Sequence, residues 1–185
     1  MPRQFAWSDL IWTDLLGGDV GAAQAAWPER WAAAERATGW TRWLIAGRHL
    51  AARAEIALEA ETAEEAAEWA QRAVDVARRT RRFKYEARAL SALGQALVRL
   101  GRHDHGLSAL RSAVEVADRI VSPFARWNAL AALGRTAYAV GRDDEAAVAY
   151  ARAAKIVDDF SAALTPQRVA TLAKSPVVRE IRAAT

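Results

Sequence analysis

The chain has 185 residues, of which 52% are hydrophobic, and its 26 basic and 22 acidic side chains leave a formal charge of +4. This length and hydrophobic content suit one domain with a continuous core. The absence of cysteine excludes disulfide bonds and thiolate metal sites and fits a reducing cytoplasm, while the mild, intermixed positive charge argues against nucleic-acid binding.

The sequence contains neither the apolar segment of a signal peptide nor an apolar run long enough to cross a membrane. We therefore expect a cytoplasmic protein with no membrane partner. Frequent alanine and sparse proline and glycine favour helices, and no segment alternates polar and apolar residues as a strand does. The composition thus predicts an all-α protein.

The N-terminal region is rich in tryptophan. Trp27 and Trp31 are four residues apart, which places them on one face of a helix. One interpretation is an aromatic core within a degenerate first unit, roughly residues 5–40. The other is an exposed patch that binds a partner or a second copy of the chain. The tryptophans that precede residue 44 are Trp7, Trp12, Trp27, Trp31, Trp40 and Trp43.

The central feature of the sequence is a segment that returns after forty residues. Ala89-Leu90-x-Ala92-Leu93-Gly94 returns as Ala129-Leu130-x-Ala132-Leu133-Gly134, and Gly101-Arg102 returns as Gly141-Arg142. A fixed period of this length indicates a pair of helices stacked on copies of itself. We assign the clear copies to residues 83–122 and 123–162 and a divergent copy to 43–82, within a single domain of residues 1–185.

Each copy is predicted to contain two helices separated by a turn. Gly101 and Gly141 can adopt the left-handed conformation that ends a helix. Asp104, and Asp143 or Asp144, are then expected to cap the second helix of their unit.

Other turn signals mark the remaining helix boundaries. In the divergent copy Glu61 stands in place of the turn glycine, and Thr62 with Glu65 forms the pattern of a capping box. Ser122-Pro123 opens the fourth unit, because proline suits the first turn of a helix. Thr165-Pro166 and Pro176 open short helices, which we assign to a C-terminal cap at residues 165–182.

These features resemble the tetratricopeptide (TPR) repeat, in which small and large residues sit at fixed offsets where two helices cross. The forty-residue period is similar to that of the TPR regions of bacterial signalling ATPases and transcription activators. The resemblance implies a right-handed α-solenoid of about four antiparallel helix pairs with a C-terminal capping helix. It is carried by Leu93, Gly94, Leu97, Gly101, Gly106, Leu110 and Ala113, and by Leu133, Gly134, Gly141, Ala146, Tyr150 and Ala153.

The resemblance also implies that the first helix of each unit lines a concave groove that binds a peptide or partner segment. Arg48 and Arg88 occupy equivalent positions in successive units, and their guanidinium groups can hold carboxylates, which favours an acidic partner. The alternative is that these side chains are solvated or paired with carboxylates of the chain itself. The candidate partner-binding residues are Arg48, Arg88, Gln95, Arg99, Trp127, Asn128, Arg135 and Tyr138, with Ala51, Glu55, Ser91 and Ala131 at further groove positions.

The predicted function is that of a protein–protein interaction scaffold. A regulatory sensor that binds a small ligand or signalling peptide in a pocket lined by Trp and Tyr is an alternative. So is a homo-oligomerisation module that uses the Trp-rich N-terminal region. A base-reading helical repeat needs a constant reading position, whereas Glu55, Gln95 and Arg135 differ at one equivalent site.

Motifs that carry catalysis or bind metals are missing from the sequence. His103-Asp104-His105 has no third ligand at helical spacing and falls in an inter-helix turn, so we predict no metal site there. No catalytic carboxylate pair, nucleophile motif or phosphate-binding loop occurs. We therefore expect neither enzymatic activity nor a cofactor.

Overall fold

The computed structural model describes residues 10–15, 17–36, 40–60 and 62–185, and of residues 34 and 40–45 it describes the backbone alone. Within these ranges the chain is helical and contains no strand, which confirms the predicted all-α class. The helices are residues 10–15 (α1), Val20–Arg36 (α2), Trp40–Glu59 (α3), Ala63–Arg79 (α4), Phe83–Arg99 (α5), His103–Asp118 (α6), Pro123–Ala139 (α7), Asp143–Ser161 (α8), Pro166–Leu172 (α9) and Pro176–Ala183 (α10).

The helices stack in pairs along the chain. The pairs are α3 with α4, α5 with α6 and α7 with α8, and the first helix of each pair also packs on the second helix of the pair before it. A main core of mostly alanine, leucine and valine side chains extends from Ile11 to Ile181, and a smaller cluster that includes Leu58 and Ala66 lies between α3, α4 and α5. Such a core forms because no pair can bury its apolar face alone.

Glycine allows the paired helices to approach closely where they cross. A methyl group on Gly94 would lie 2.5 Å from Leu110 Cγ and 2.7 Å from the Gly106 carbonyl oxygen, which is too close for any side chain. A methyl group on Gly134 would lie 2.9 Å from the Tyr150 ring. The small and large residues of the repeat are therefore packing residues, as the resemblance implies.

The turns confirm the predicted glycines and correct the predicted caps. Gly101 and Gly141 have φ values of +74° and +72°. However, the helices that follow begin at His103 and Asp143, with Arg102 and Arg142 in the N-cap positions and no side-chain cap. The prediction that aspartates cap α6 and α8 is wrong, because the N-cap of α6 lies two residues before Asp104 and the N-cap of α8 lies one residue before Asp143. The residues concerned (Asp104, Asp143 and Asp144) lie in the first helical turn, where negative charge still favours the helix dipole.

Two further caps have opposite outcomes. Ser122 accepts a hydrogen bond from the Ala125 amide at 3.4 Å and caps α7 as the Ser-Pro pair predicts. Thr62 is the N-cap residue of α4 as predicted, but the capping box does not form. The Thr62 hydroxyl donates towards the Ala57 carbonyl at 3.2 Å and the Glu65 carboxylate at 3.3 Å and makes no cap bond. Glu61 lies outside the described residues.

Candidate partner-binding surface

The concave side of the array is set by the way the first helices pack. Successive first helices contact each other directly, α3 with α5 and α5 with α7, whereas no comparable packing joins α4 to α6 or α6 to α8 in the described residues. Contacts on that outer side are made by long side chains such as Arg111 and Glu145, whose atoms lie 2.7 Å apart. The array therefore curves towards its first helices, and we call the surface that α3, α5 and α7 form the inner face.

Arg88 lies on the inner face and is already paired. Its Nε and Nη2 donate to the Glu55 carboxylate of α3 at 2.5 and 3.0 Å. The Trp12 ring covers the guanidinium group, with 3.4 Å between the ring centroid and Cζ, and Trp12 is only 7% exposed. Of the two interpretations of this arginine, local pairing with a carboxylate is the one that the contacts match.

Arg135 occupies the C-terminal end of the inner face. Its Nε and Nη2 donate to the Glu180 carboxylate of α10 at 3.0 and 2.7 Å, and its Nη1 donates to Gln95 Oε1 at 3.4 Å. The Tyr150 hydroxyl donates to the same carboxylate at 2.7 Å. Three donors thus converge on one glutamate of the terminal helix, an arrangement typical of a carboxylate-binding site.

The electrostatics of this cluster agree with its geometry. Burial acts to lower the pKa of Arg135, but the hydrogen bonds and charge of Glu180 outweigh it and raise that pKa above its usual value. Burial and the bond to Glu180 both raise the pKa of Tyr150. Both donors therefore keep their protons at neutral pH.

The other predicted surface residues are spread along the array. Arg48 is half-buried, with its guanidinium carbon 5.9 Å from the centroid of the Tyr85 ring. Arg99 is exposed and donates to the Leu58 carbonyl, which links α5 to the end of α3. Asn128 is exposed and bonds the carbonyl of its own helix at Phe124. Tyr138 is 70% exposed at the end of α7.

Three predicted positions do not present a surface at all. Trp127 is 2% exposed and packs against Phe124 and Phe160, with ring centroids 4.5 and 5.6 Å away, so it is a core residue. Ala51 and Ala131 are 1% and 0% exposed. A first helix that packs on neighbours at both sides exposes only a narrow strip of its surface. These three residues lie on the packed parts of their helices and not on the exposed strip.

The tryptophans of the N-terminal region pack mostly against the core. Trp27 and Trp31 stack at 5.4 Å with an interplanar angle of 10°, as their spacing predicts. Trp69 meets Trp27 edge-on at 5.3 Å, and the Arg53 guanidinium lies 5.6 Å from the Trp27 ring. These contacts fit the interpretation of an aromatic core better than that of an exposed patch. Trp7 and the side chains of Trp40 and Trp43 lie outside the described residues.

Sequence reasoning missed Glu180, Trp12 and the role of Tyr150 in this surface. A signal for Tyr150 was present, because it stands where the preceding unit has Leu110. Glu180 lies in the tail, outside the repeat, so no offset could align it with Arg135. In the part of the chain that the structure describes, no helix combines the length and apolar character needed to cross a membrane.

No protein-family model and no curated protein matches the sequence, so the comparisons that inform it are structural. A Rap protein complexed with Competence and Sporulation Factor superposes with a TM-score of 0.73 at 16% identity, over 84% of this chain and 43% of that one. BtubC from P. vanneervenii gives a TM-score of 0.61 at 17% identity, over 97% and 75% of the two chains.

A putative kinesin light chain of Podosopora anserina, with nearly identical TPR-like repeats, gives a TM-score of 0.58 at 16% identity, over 98% and 94%. This chain thus spans less than half of the Rap chain. At identities this low the likeness concerns the fold and not the activity. Together with the stacked helix pairs and their glycine crossings, it shows that the chain has a TPR-like helical repeat fold.

Proposed function

We propose that the chain is a protein–protein interaction scaffold that binds a peptide or partner segment along its inner face. The observation that carries the proposal is the row of long polar side chains that joins successive first helices, from Glu55 through Arg88 to Gln95 and Arg135. Repeat arrays bind partners on such extended concave surfaces. The Rap protein of the same fold was solved in complex with a factor, which supports binding as the general role.

The charges of the inner face favour a partner with carboxylates. Arg99 is exposed and spends one donor on a backbone carbonyl, so its charge has no acidic partner among the described residues. Arg135 is exposed, and its partners among the described residues are Glu180 and Gln95. A guanidinium group of this kind retains donors for a second carboxylate, since it has five in total.

The other functions find less support. A small-ligand sensor needs a pocket lined by Trp and Tyr, whereas the 480 Å³ cavity between α8, α9 and α10 is lined mainly by aliphatic residues such as Val157 and Leu172. Self-association through the N-terminal tryptophans needs an exposed aromatic patch, whereas Trp12 is buried and Trp27 and Trp31 stack on each other. Helical repeats of this type are typically non-catalytic scaffolds.

The test compares two double charge reversals in the full chain. Arg99→Glu with Arg135→Glu changes the inner face. Arg79→Glu with Arg119→Glu makes the same change in net charge on exposed residues at the C-terminal ends of the second helices α4 and α6. Each immobilised chain is incubated with lysate, and the retained proteins are identified by mass spectrometry, with circular dichroism as the folding check. We expect the wild type and the second-helix variant to retain the same partner and the inner-face variant to lose it. Equal retention by all three chains would show that the inner face is not the binding surface.

A further inference from the structure

The terminal helix α10 lies where a further repeat would place its first helix. It packs on α8 and on α7, just as α5 packs on α4 and α3 and α7 packs on α6 and α5. The last pair therefore presents a surface shaped to receive one more helix. We call this surface of α7 and α8 the cap site, and in this structure α10 occupies it.

The cap site has a carboxylate receptor that the preceding unit lacks. Arg135 and Tyr150 both donate to Glu180, and they stand where the third unit has Gln95 and Leu110. Neither Gln95 nor Leu110 can supply a charged donor or a hydroxyl. Charge-assisted bonds to a carboxylate are among the strongest polar contacts that a surface can offer, so these two exchanges give the cap site a preference for an acidic helix.

Few contacts hold α10 in the cap site. Besides the bonds to Glu180, α10 has the exposed ion pair between Arg182 and Asp158 of α8 and two buried residues, Val178 and Ile181, and the preceding helix α9 has no buried residue. The 480 Å³ cavity lies directly beneath it, bounded by Val157, Val169, Leu172 and Val178. A terminal helix with this little packing can leave without opening the core between the paired helices.

We infer that the cap site binds an amphipathic helix of a partner protein. In this helix a carboxylate residue has one aliphatic residue two positions before it and a second aliphatic residue directly after it. The helix α10 fulfils this pattern itself through Val178, Glu180 and Ile181, and it blocks the site until such a helix replaces it. The inference deepens the proposed function, on which it rests, by naming the partner's chemistry and the segment that competes with it. Helices commonly dock in this way, through aliphatic anchors at helical spacing.

Intramolecular competition has a measurable consequence. An incoming helix binds only the fraction of molecules whose cap site is open, so its apparent affinity is reduced by that fraction. Removing the carboxylate of Glu180 from α10, while Arg135 is kept, should therefore strengthen binding of an acidic helix supplied from outside. Since hydrogen bonds to charged groups contribute strongly, we expect a gain of about tenfold or more.

The experiment uses full-length chains and two fluorescein-labelled peptides, read out by fluorescence anisotropy. One peptide has the sequence of residues 174–185, and the other has the same sequence with Glu180→Lys. The host chains are the wild type, Glu180→Lys, Arg135→Glu and, as a matched control for charge, Glu115→Lys on the exposed surface of α6. In Glu180→Lys and in Arg135→Glu, repulsion between like charges expels the chain's own α10. The vacated cap site is then positively charged in Glu180→Lys and negatively charged in Arg135→Glu.

We expect the unchanged peptide to bind Glu180→Lys at least about tenfold more tightly than the wild type, and to bind Arg135→Glu no better than the wild type. The lysine peptide should show the reverse preference. The control Glu115→Lys should bind both peptides as the wild type does. Tyr150→Phe keeps the ring against Gly134 but removes one donor from the chain's own α10 and from the peptide alike, so it should bind the unchanged peptide no more tightly than the wild type.

Equal binding of both peptides to all hosts would overturn the proposal. Concentration-dependent dimers of the wild type in sedimentation that disappear in Glu180→Lys would also overturn it, because α10 would then exchange between copies of this chain. These measurements need no natural partner. If the expected peptide preferences are found but the inner-face variant retains the partner from lysate, only the proposed function is contradicted. If the inner-face variant loses the partner but the peptides show no preference, only the cap-site proposal is contradicted.

Discussion

The third and fourth units are built alike but end differently. In both, a glycine marks the helix crossing and a large side chain from the second helix covers it, Leu110 over Gly94 and Tyr150 over Gly134. Leu110 is fully buried and apolar, so the third unit is sealed. Tyr150 fills the same place but extends a hydroxyl to Glu180 of α10. The exchange of leucine for tyrosine thus lets a packing residue also bond the terminal helix without disturbing the stack.

The second difference between the units acts in the same direction. Gln95 bonds the carbonyl of its own helix at Ser91 and receives one bond from Arg135, whereas Arg135 also reaches the terminal helix. The third unit uses its polar inner residue for internal order, and the fourth uses it to hold another segment. Identity between these repeats therefore maintains the stack, and the two differences mark where the terminal helix docks.

The largest loss of stability is expected at the sealed helix crossing of the third unit. Leu110→Ala removes a side chain with 0% exposure and leaves a cavity, so we expect unfolding free energy to fall by about 3 kcal/mol. Val148→Ala, at a residue that is 61% exposed, should change it by less than about 0.5 kcal/mol. Urea unfolding measures both values. Similar losses for the two variants would mean that the third unit is not sealed by Leu110.

The two crossing glycines give the next largest effect. In Gly94→Ala the new methyl group meets the backbone oxygen of Gly106, which cannot move alone, so we expect a loss of about 2 kcal/mol. In Gly134→Ala it meets only the Tyr150 ring, which can shift, so we expect about 1 kcal/mol. Thermal and urea unfolding of both variants provide the measurement. A larger loss of stability in Gly134→Ala than in Gly94→Ala would contradict this expectation.

A double variant can give the fourth unit the side chains that the third unit has at the equivalent positions. The double variant Arg135→Gln with Tyr150→Leu should release α10, because Glu180 loses all three donated bonds. Global stability should fall by only about 1 kcal/mol, since the aliphatic side chain still covers Gly134. Hydrogen exchange should then lose protection at residues 178–183 but retain it across α5 and α6. Unchanged protection in α10 would show that Val178, Ile181 and the ion pair between Arg182 and Asp158 are enough to hold it.

The smallest effect concerns the outer contact between the two units. The hydrogen bonds from Arg111 hold the pKa of Glu145 below its usual value of 4.5. A lowered folded-state pKa contributes stability at pH values above 4.5, and this contribution is lost as the pH falls through the folded pKa. We therefore expect Glu145→Gln to lose less stability than the wild type on acidification below that point. The measurement is the unfolding free energy of the two chains as the pH is lowered. An equal fall in both chains would contradict this expectation.

Much of the scaffold could be read from the sequence because its rules are local. Gly101 and Gly141 mark turns whatever surrounds them, since few other residues accept a positive φ. The caps were harder, because the start of a helix depends on how tightly the preceding turn reverses the chain. That is why Asp104 and Asp143 lie inside their helices rather than before them.

The binding surface could be predicted only in part. Helical periodicity places Arg88, Arg99 and Arg135 on first helices, and these helices do form the inner face. Periodicity cannot show that Trp127 is buried by Phe124 and Phe160, because Phe160 comes from another helix. Nor can it tell whether an arginine already has a carboxylate partner thirty or more residues away.

The sequence by itself determined the repeat, the helical class and the crossing points, because each follows from the size and backbone freedom of residues at fixed offsets. Only the tertiary structure decided which mismatches between units matter. Arg135 and Tyr150 are separated in the sequence from Glu180 and belong to different helices, and they meet because α10 docks on the last pair. Contacts between segments outside the period depend on how the stack curves and ends, and no local pattern of residues encodes that geometry.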